Sequence, residues 1–125
     1  MVLRRYVLAL VGAAAIASTA GVRAGDTGLP DAAQAGNQAL VASMIKQGAD
    51  VNATQGDAVT ALHWAARRGD AAMARTLLVA GANVRATTRL ASYTALHLAA
   101  ERGSADVIAE LLRAGADANA RTTTG

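Results

Sequence analysis

The chain has 125 residues, 12 Lys+Arg against 9 Asp+Glu, a single Pro, no Cys and no Phe. That length suits one domain, and the missing cysteines exclude a disulfide framework and thiol chemistry. Arg4, Arg5 and Arg23 all precede residue 25, so from Gly25 onward nine basic residues face nine acidic ones. Such a neutral domain has no broad basic face to neutralise phosphates, which argues against nucleic acid as a partner.

Residues 1–24 stand apart in composition. Arg4-Arg5 form a short basic segment, Tyr6 to Ala17 is apolar, and small residues follow. The apolar run is too short to span a bilayer, which takes about 20 residues. Basic, then apolar, then small is the layout of a secretory signal peptide, with cleavage after Ala20 or Ala24. Arg4-Arg5 lack the preceding Ser or Thr and the downstream Lys of a twin-arginine signal. The general secretory route, and so a periplasmic or secreted protein, is the expectation. Eleven of the twelve basic residues are Arg and Ala and Gly are abundant, an association with GC-rich bacterial genomes.

A degenerate unit occupies residues 26–52. Asn37 is placed to cap a helix whose apolar stripe is Leu40, Val41, Met44 and Ile45, with Gly48 as its stop. A shift of 33 residues sets Thr27 on Thr60, Ala32-Ala33 on Ala65-Ala66 and Gly36 on Gly69. The unit at 53–86 is the most complete. Thr60 caps a helix in which Leu62, Ala65 and Ala66 share one face, and Gly69 ends it. Asp70 then caps a second helix carrying Met73, Ala74, Leu77 and Leu78, ended by Gly81. The unit at 87–120 repeats this grammar: Thr94 caps, Gly103 stops, Ser104 caps, Val107, Ile108, Leu111 and Leu112 form the stripe, and Gly115 stops. Residues 121–125 read as the opening of a further loop or repeat.

The signature lies at the two first-helix starts. Thr60-Ala61-Leu62-His63-Trp64-Ala65-Ala66 returns 34 residues later as Thr94-Ala95-Leu96-His97-Leu98-Ala99-Ala100, identical at six of seven positions. A period near 33 residues with this pattern resembles the ankyrin repeat family. The resemblance implies an all-α solenoid of helix-turn-helix-loop repeats behind the signal peptide, with residues 26–52 as an N-terminal capping repeat. The family's Pro after the capping Thr is here Ala61 and Ala95, its Leu-His is Leu29-Pro30 in the first unit, and Ala118 replaces the Val of Val51 and Val84.

Chemistry is sparse. His63 and His97 occupy one position of successive repeats, but stacked helices lie about 8–10 Å apart and a shared metal needs both nitrogens within about 2.1 Å. The resemblance instead gives these histidines a structural role between neighbouring repeats. No nucleophile elbow and no phosphate-cradling glycine loop is present, so neither catalysis nor a cofactor or metal is expected. Asp50, Asn83 and Asp117 recur where a side chain braces a turn. What remains is a surface. Partners of ankyrin arrays contact loop tips and the concave face of the first helices, which here means Gln55, Asp57, Val59, Arg67 and Arg68 in one repeat and Arg89, Leu90, Tyr93, Glu101 and Arg102 in the next. The expected function is non-catalytic protein binding by a monomer. Two alternatives stand beside it: an accessory or assembly factor for an exported enzyme, and the targeting part of a longer secreted effector.

Overall fold

The computed structural model describes residues 28–123. The signal-peptide expectation for residues 1–24 and the alignment of Thr27 with Thr60 lie outside the described residues. Three helix pairs follow one another: α1 (Leu29–Gln34) with α2 (Gln38–Lys46), α3 (Ala61–Arg68) with α4 (Ala71–Val79), and α5 (Ala95–Arg102) with α6 (Ala105–Arg113). The mostly helical repeat architecture is the one expected from the sequence.

Each boundary has a local cause. Thr60 and Thr94, in extended backbone, accept at Oγ1 from the N–H of His63 and His97. Asn37, Asp70 and Ser104 accept in the same way from Leu40, Met73 and Val107. Each cap satisfies one of the donors a helix start leaves orphaned, worth about 1 kcal/mol. Gly69 and Gly103 close α3 and α5 at φ 69° and 79°, backbone that any side chain would strain. That turn sends the chain straight into the next cap, so the helices of a pair lie against each other. Asp50, Asn83 and Asp117 each accept from the N–H two residues on, at 2.9, 3.0 and 2.9 Å, bracing the turn after each pair.

The first repeat solves its helix start differently. Gly28 is the cap of α1, and Asp31 reaches back to accept the Gly28 N–H at 2.9 Å. Asp31 therefore does for α1 what His63 and His97 do for α3 and α5, and Pro30 sits in the first turn, where its missing N–H costs nothing.

The connections carry more order than a plain loop. Thr54–Gln55 (β1) and Val59–Thr60 (β2) pair antiparallel, Thr54 opposite Thr60 and Gln55 opposite Val59. The following connection is one residue longer, and Thr88 closes it: its N–H donates to Tyr93 O at 2.9 Å and its Oγ1 accepts the Tyr93 N–H at 3.1 Å.

First helices pack most densely on first helices, α1 on α3 and α3 on α5. Ala32, Ala33, Ala61, Ala65, Ala66, Ala95 and Ala99 are all buried there; residues this small let helix backbones approach. The second helices cover that layer with Val41, Met73, Leu77, Val107 and Leu111. The stripes read from sequence are deeper than the core they build. Leu40, Met44, Ile45, Leu78 and Ile108 are only partly covered, and Leu112 is 45 % exposed. Leu62 and Leu96 occupy one motif position, yet Leu62 is 1 % exposed and Leu96 is half-buried, because among the described residues a complete following repeat lies after Leu62 and not after Leu96. Leu62→Ala is accordingly expected to cost about 2–5 kcal/mol and Leu96→Ala clearly less, measured by urea denaturation of the two variants side by side.

Candidate protein-binding surface

His63 is 1 % exposed and hydrogen-bonded on both edges. Its Nδ1 lies 3.0 Å from the Thr60 backbone nitrogen, which can only donate, so Nδ1 accepts and the ring proton sits on Nε2. That Nε2–H points at Ala86 O (3.1 Å) and Tyr93 O (3.2 Å), both in the next repeat's connection. His97 repeats the pattern with Thr94 N at 3.0 Å and Ala120 O at 3.1 Å. These rings span consecutive repeats and are fully engaged in doing so.

The hairpin tips are tied to each other as well. The Arg89 N–H donates to Asp57 O (2.9 Å) and the Leu90 N–H to Asp57 Oδ1 (2.8 Å). One repeat on, the Thr123 N–H donates to Ala91 O at 3.0 Å. Gln55 is spent inside the fold: its Nε2 donates to Asp31 and its Oε1 accepts from Trp64 Nε1. Arg68 extends back to donate to Gln34 O at 3.2 Å and lies across Gly36. Of the ten residues read as contact candidates, Gln55, Asp57 and Arg68 thus have internal work.

Five candidates come together. Asp57, Val59, Arg67, Leu90 and Tyr93 line one cleft of about 280 Å³, with Trp64, Thr88, Ala91 and Leu98 completing its wall. The Arg67 guanidinium lies over the Trp64 ring, 5.5 Å from its centroid, a cation–π contact that fixes its direction. The Tyr93 ring meets His97 edge-on at 5.9 Å, and Leu90 stands 80 % exposed at the tip. Glu101 and Arg102 adjoin this cleft, sharing a shallower depression with Arg67 and Leu98. Arg89 is exposed on the same tip as Leu90. Trp64, Leu98 and Thr88 were not among the sequence candidates. A signal for two of them existed: Trp64 and Leu98 are the one position at which the seven-residue copies differ.

Among the described residues no group of three or more His, Cys, Asp or Glu could hold a metal ion, and no helix is long and apolar enough to cross a membrane. A family model described as ankyrin repeats, in three copies, matches residues 29–122. No curated protein matches the chain.

Burial lowers the His63 pKa below its ordinary value near 6.5; the Tyr93 and Ala86 carbonyls and the Asp57 charge oppose this without overcoming it. A depressed histidine pKa means the unfolded chain binds the proton more readily. The contribution of neutral His63 is therefore complete above pH 6.5 and is lost as pH falls from there toward the lowered folded value. Urea midpoints should drop between pH 7.5 and 5.5, and His63→Leu should lower stability at pH 7.5 while flattening that drop. In the same region, Asp31→Ala releases Gln55 from Trp64; the emission of this single tryptophan should shift to longer wavelength.

Proposed function

Because the chain belongs to the ankyrin repeat family, whose repeats generally serve protein–protein interaction, we propose that it is a non-catalytic scaffold. It presents one face, built from hairpin tips and first helices, to a protein partner. The observation that carries this reading is the division of labour among its polar groups. The histidines, Gln55, Asp57 and Arg68 are consumed in holding repeats together. Arg67, Leu90, Glu101 and Arg102 are exposed on a shared face with side chains left for a partner.

The scaffold is rigid where it binds. Both tips are pinned by backbone hydrogen bonds, so a partner pays little ordering entropy on this side. Tyr93, Trp64 and the arginines are residue types that dominate interface energetics. The scaffold acts as a monomer in the periplasm or outside the cell, a location that rests on the basic, apolar, small layout of residues 1–24 and on nothing in the described residues.

Crosslinking capture from periplasmic and secreted extracts tests the proposal. An immobilised Arg67→Ala, Leu90→Ser variant should lose the partner that the unaltered chain captures. Val79→Ser should keep it: Val79 is 84 % exposed but on α4, away from that face. A partner lost with Val79→Ser and kept by the double variant would place binding on the second helices instead.

A further inference from the structure

The outward face of α5 and α6 repeats a face that is covered elsewhere in the molecule. A depression of about 300 Å³ opens there, lined by the two helices and the turn after them. Its lining residues stand 34 positions after residues of the preceding repeat: Leu96 answers to Leu62, His97 to His63, Ala100 to Ala66 and Ile108 to Ala74. The earlier four, with α5 and α6 stacked after them, are at most 1 % exposed. Of the later four, Ala100 is exposed and the others are half-buried, and Leu112 beside them is 45 % exposed.

Two polar groups on this face are left incomplete in the same sense. His63 Nε2 meets two carbonyls, Ala86 O and Tyr93 O, the second leading directly into α5. His97 Nε2 meets only Ala120 O among the described residues. Asn52 grips the turn that follows the next helix pair: its Oδ1 accepts the Asn83 N–H at 2.7 Å and its Nδ2 donates to Gly81 O at 3.4 Å. Asn119 holds the same place in a nearly identical turn, Gly115-Ala116-Asp117-Ala118-Asn119 against Gly48-Ala49-Asp50-Val51-Asn52. It is exposed, and its side-chain amide has no partner among the described residues.

We infer that a partner protein stacks a helix pair of its own on this face, as α5 and α6 stack on α3 and α4. The partner's first helix brings small side chains against Leu96 and Ala100, in the manner of Ala95 and Ala99, and a carbonyl to His97 Nε2. A Gly-x-Asp or Gly-x-Asn turn then meets the Asn119 amide. This rests on the protein-binding reading above and gives it a second surface, apart from the hairpin tips. The occupant is set by continuity with the α3–α5 interface, whose close approach depends on the size of the side chains at the contact. A second copy of this chain fits less well. Its α1 has six residues against eight in α3 and α5, and copies stacked head to tail leave an open end at every step.

The probe is a synthetic peptide with the sequence of residues 87–120, which carries α5, α6 and their turn, titrated into the full chain labelled with ¹⁵N. Peptide helicity should rise on mixing. Amide shifts should move at Ala100, Ile108, Leu112 and Asn119 and stay in place at Leu90 and Val79. In the chain, Ala100→Glu, Leu112→Glu, two exposed sites whose change leaves the core intact, should weaken binding about tenfold, and Asn119→Ala about threefold. A peptide with Ala95→Leu, Ala99→Leu should not bind, although it remains an amphipathic helix pair. No shift at this face, shifts at the Trp64–Leu90 cleft instead, or equal binding by the leucine peptide would each overturn the inference. So would sedimentation showing the chain alone assembling end to end, since the occupant would then be a second copy. The scaffold reading is judged separately by crosslinking: a partner captured by the unaltered chain and lost with Arg67→Ala, Leu90→Ser upholds it even if the peptide fails to stack, whereas failed capture with a stacking peptide sinks the face proposed there and leaves this one.

Discussion

The imidazole of His63 works in two directions at once. Nδ1 accepts the Thr60 N–H and completes the start of its own helix, while Nε2 donates to Ala86 and Tyr93 in the following connection. Both tasks need the neutral ring with its proton on Nε2, and burial keeps it so. One side chain therefore terminates a helix and sets where the next repeat lies. The α3–α5 packing, the closed turn of the second connection and the position of the tip at Leu90 all follow from that placement.

What makes the arrangement possible is the size of the residues beside the histidine. Ala61, Ala65, Ala66, Ala95 and Ala99 line the contact between first helices. A larger side chain there would push α5 from α3 and carry Ala86 out of reach of Nε2. Apolar volume comes instead from the second helices, where Met73, Leu77, Val107 and Leu111 are fully covered. With no Phe and one Trp in the chain, no bulky ring was needed in the core. Trp64 is thereby free to sit half-buried in the cleft, held by Gln55 and overlaid by Arg67.

The first repeat shows how a motif is replaced rather than lost. Pro30 stands where the other repeats have histidine, and Asp31, one residue later, accepts the cap N–H and also holds Gln55 of the next hairpin. A carboxylate reaches two neighbours with two accepting oxygens, where the neutral imidazole does so with one acceptor and one donor. Glu110 does a comparable service on the second-helix side: it bridges Arg75 and Arg113 at 2.9 and 3.0 Å, and the Arg75 hydrogen bond holds its carboxyl below the usual range. Consecutive repeats are tied by polar contacts at the tips, at the histidine and on the second-helix face, so rigidity is distributed along the stack.

The sequence by itself determined the period, the helix starts at Thr60, Asp70, Thr94 and Ser104, the stops at Gly69 and Gly103, and the all-α repeat fold. These are local matters: a cap, a left-handed residue and an apolar spacing act within a few positions of one another, so they are visible in one dimension. Tertiary structure decided which members of each stripe are buried, because burial of Leu62 but not of Leu96 depends on what lies against it. It also decided which polar residues remain for a partner. Gln55, Asp57 and Arg68 looked as available as Arg67 and Leu90 until their bonds to Asp31, Leu90 and Gln34 were in view. Those bonds join residues 24 to 34 positions apart in the chain, and only the stacking of successive repeats brings them within reach.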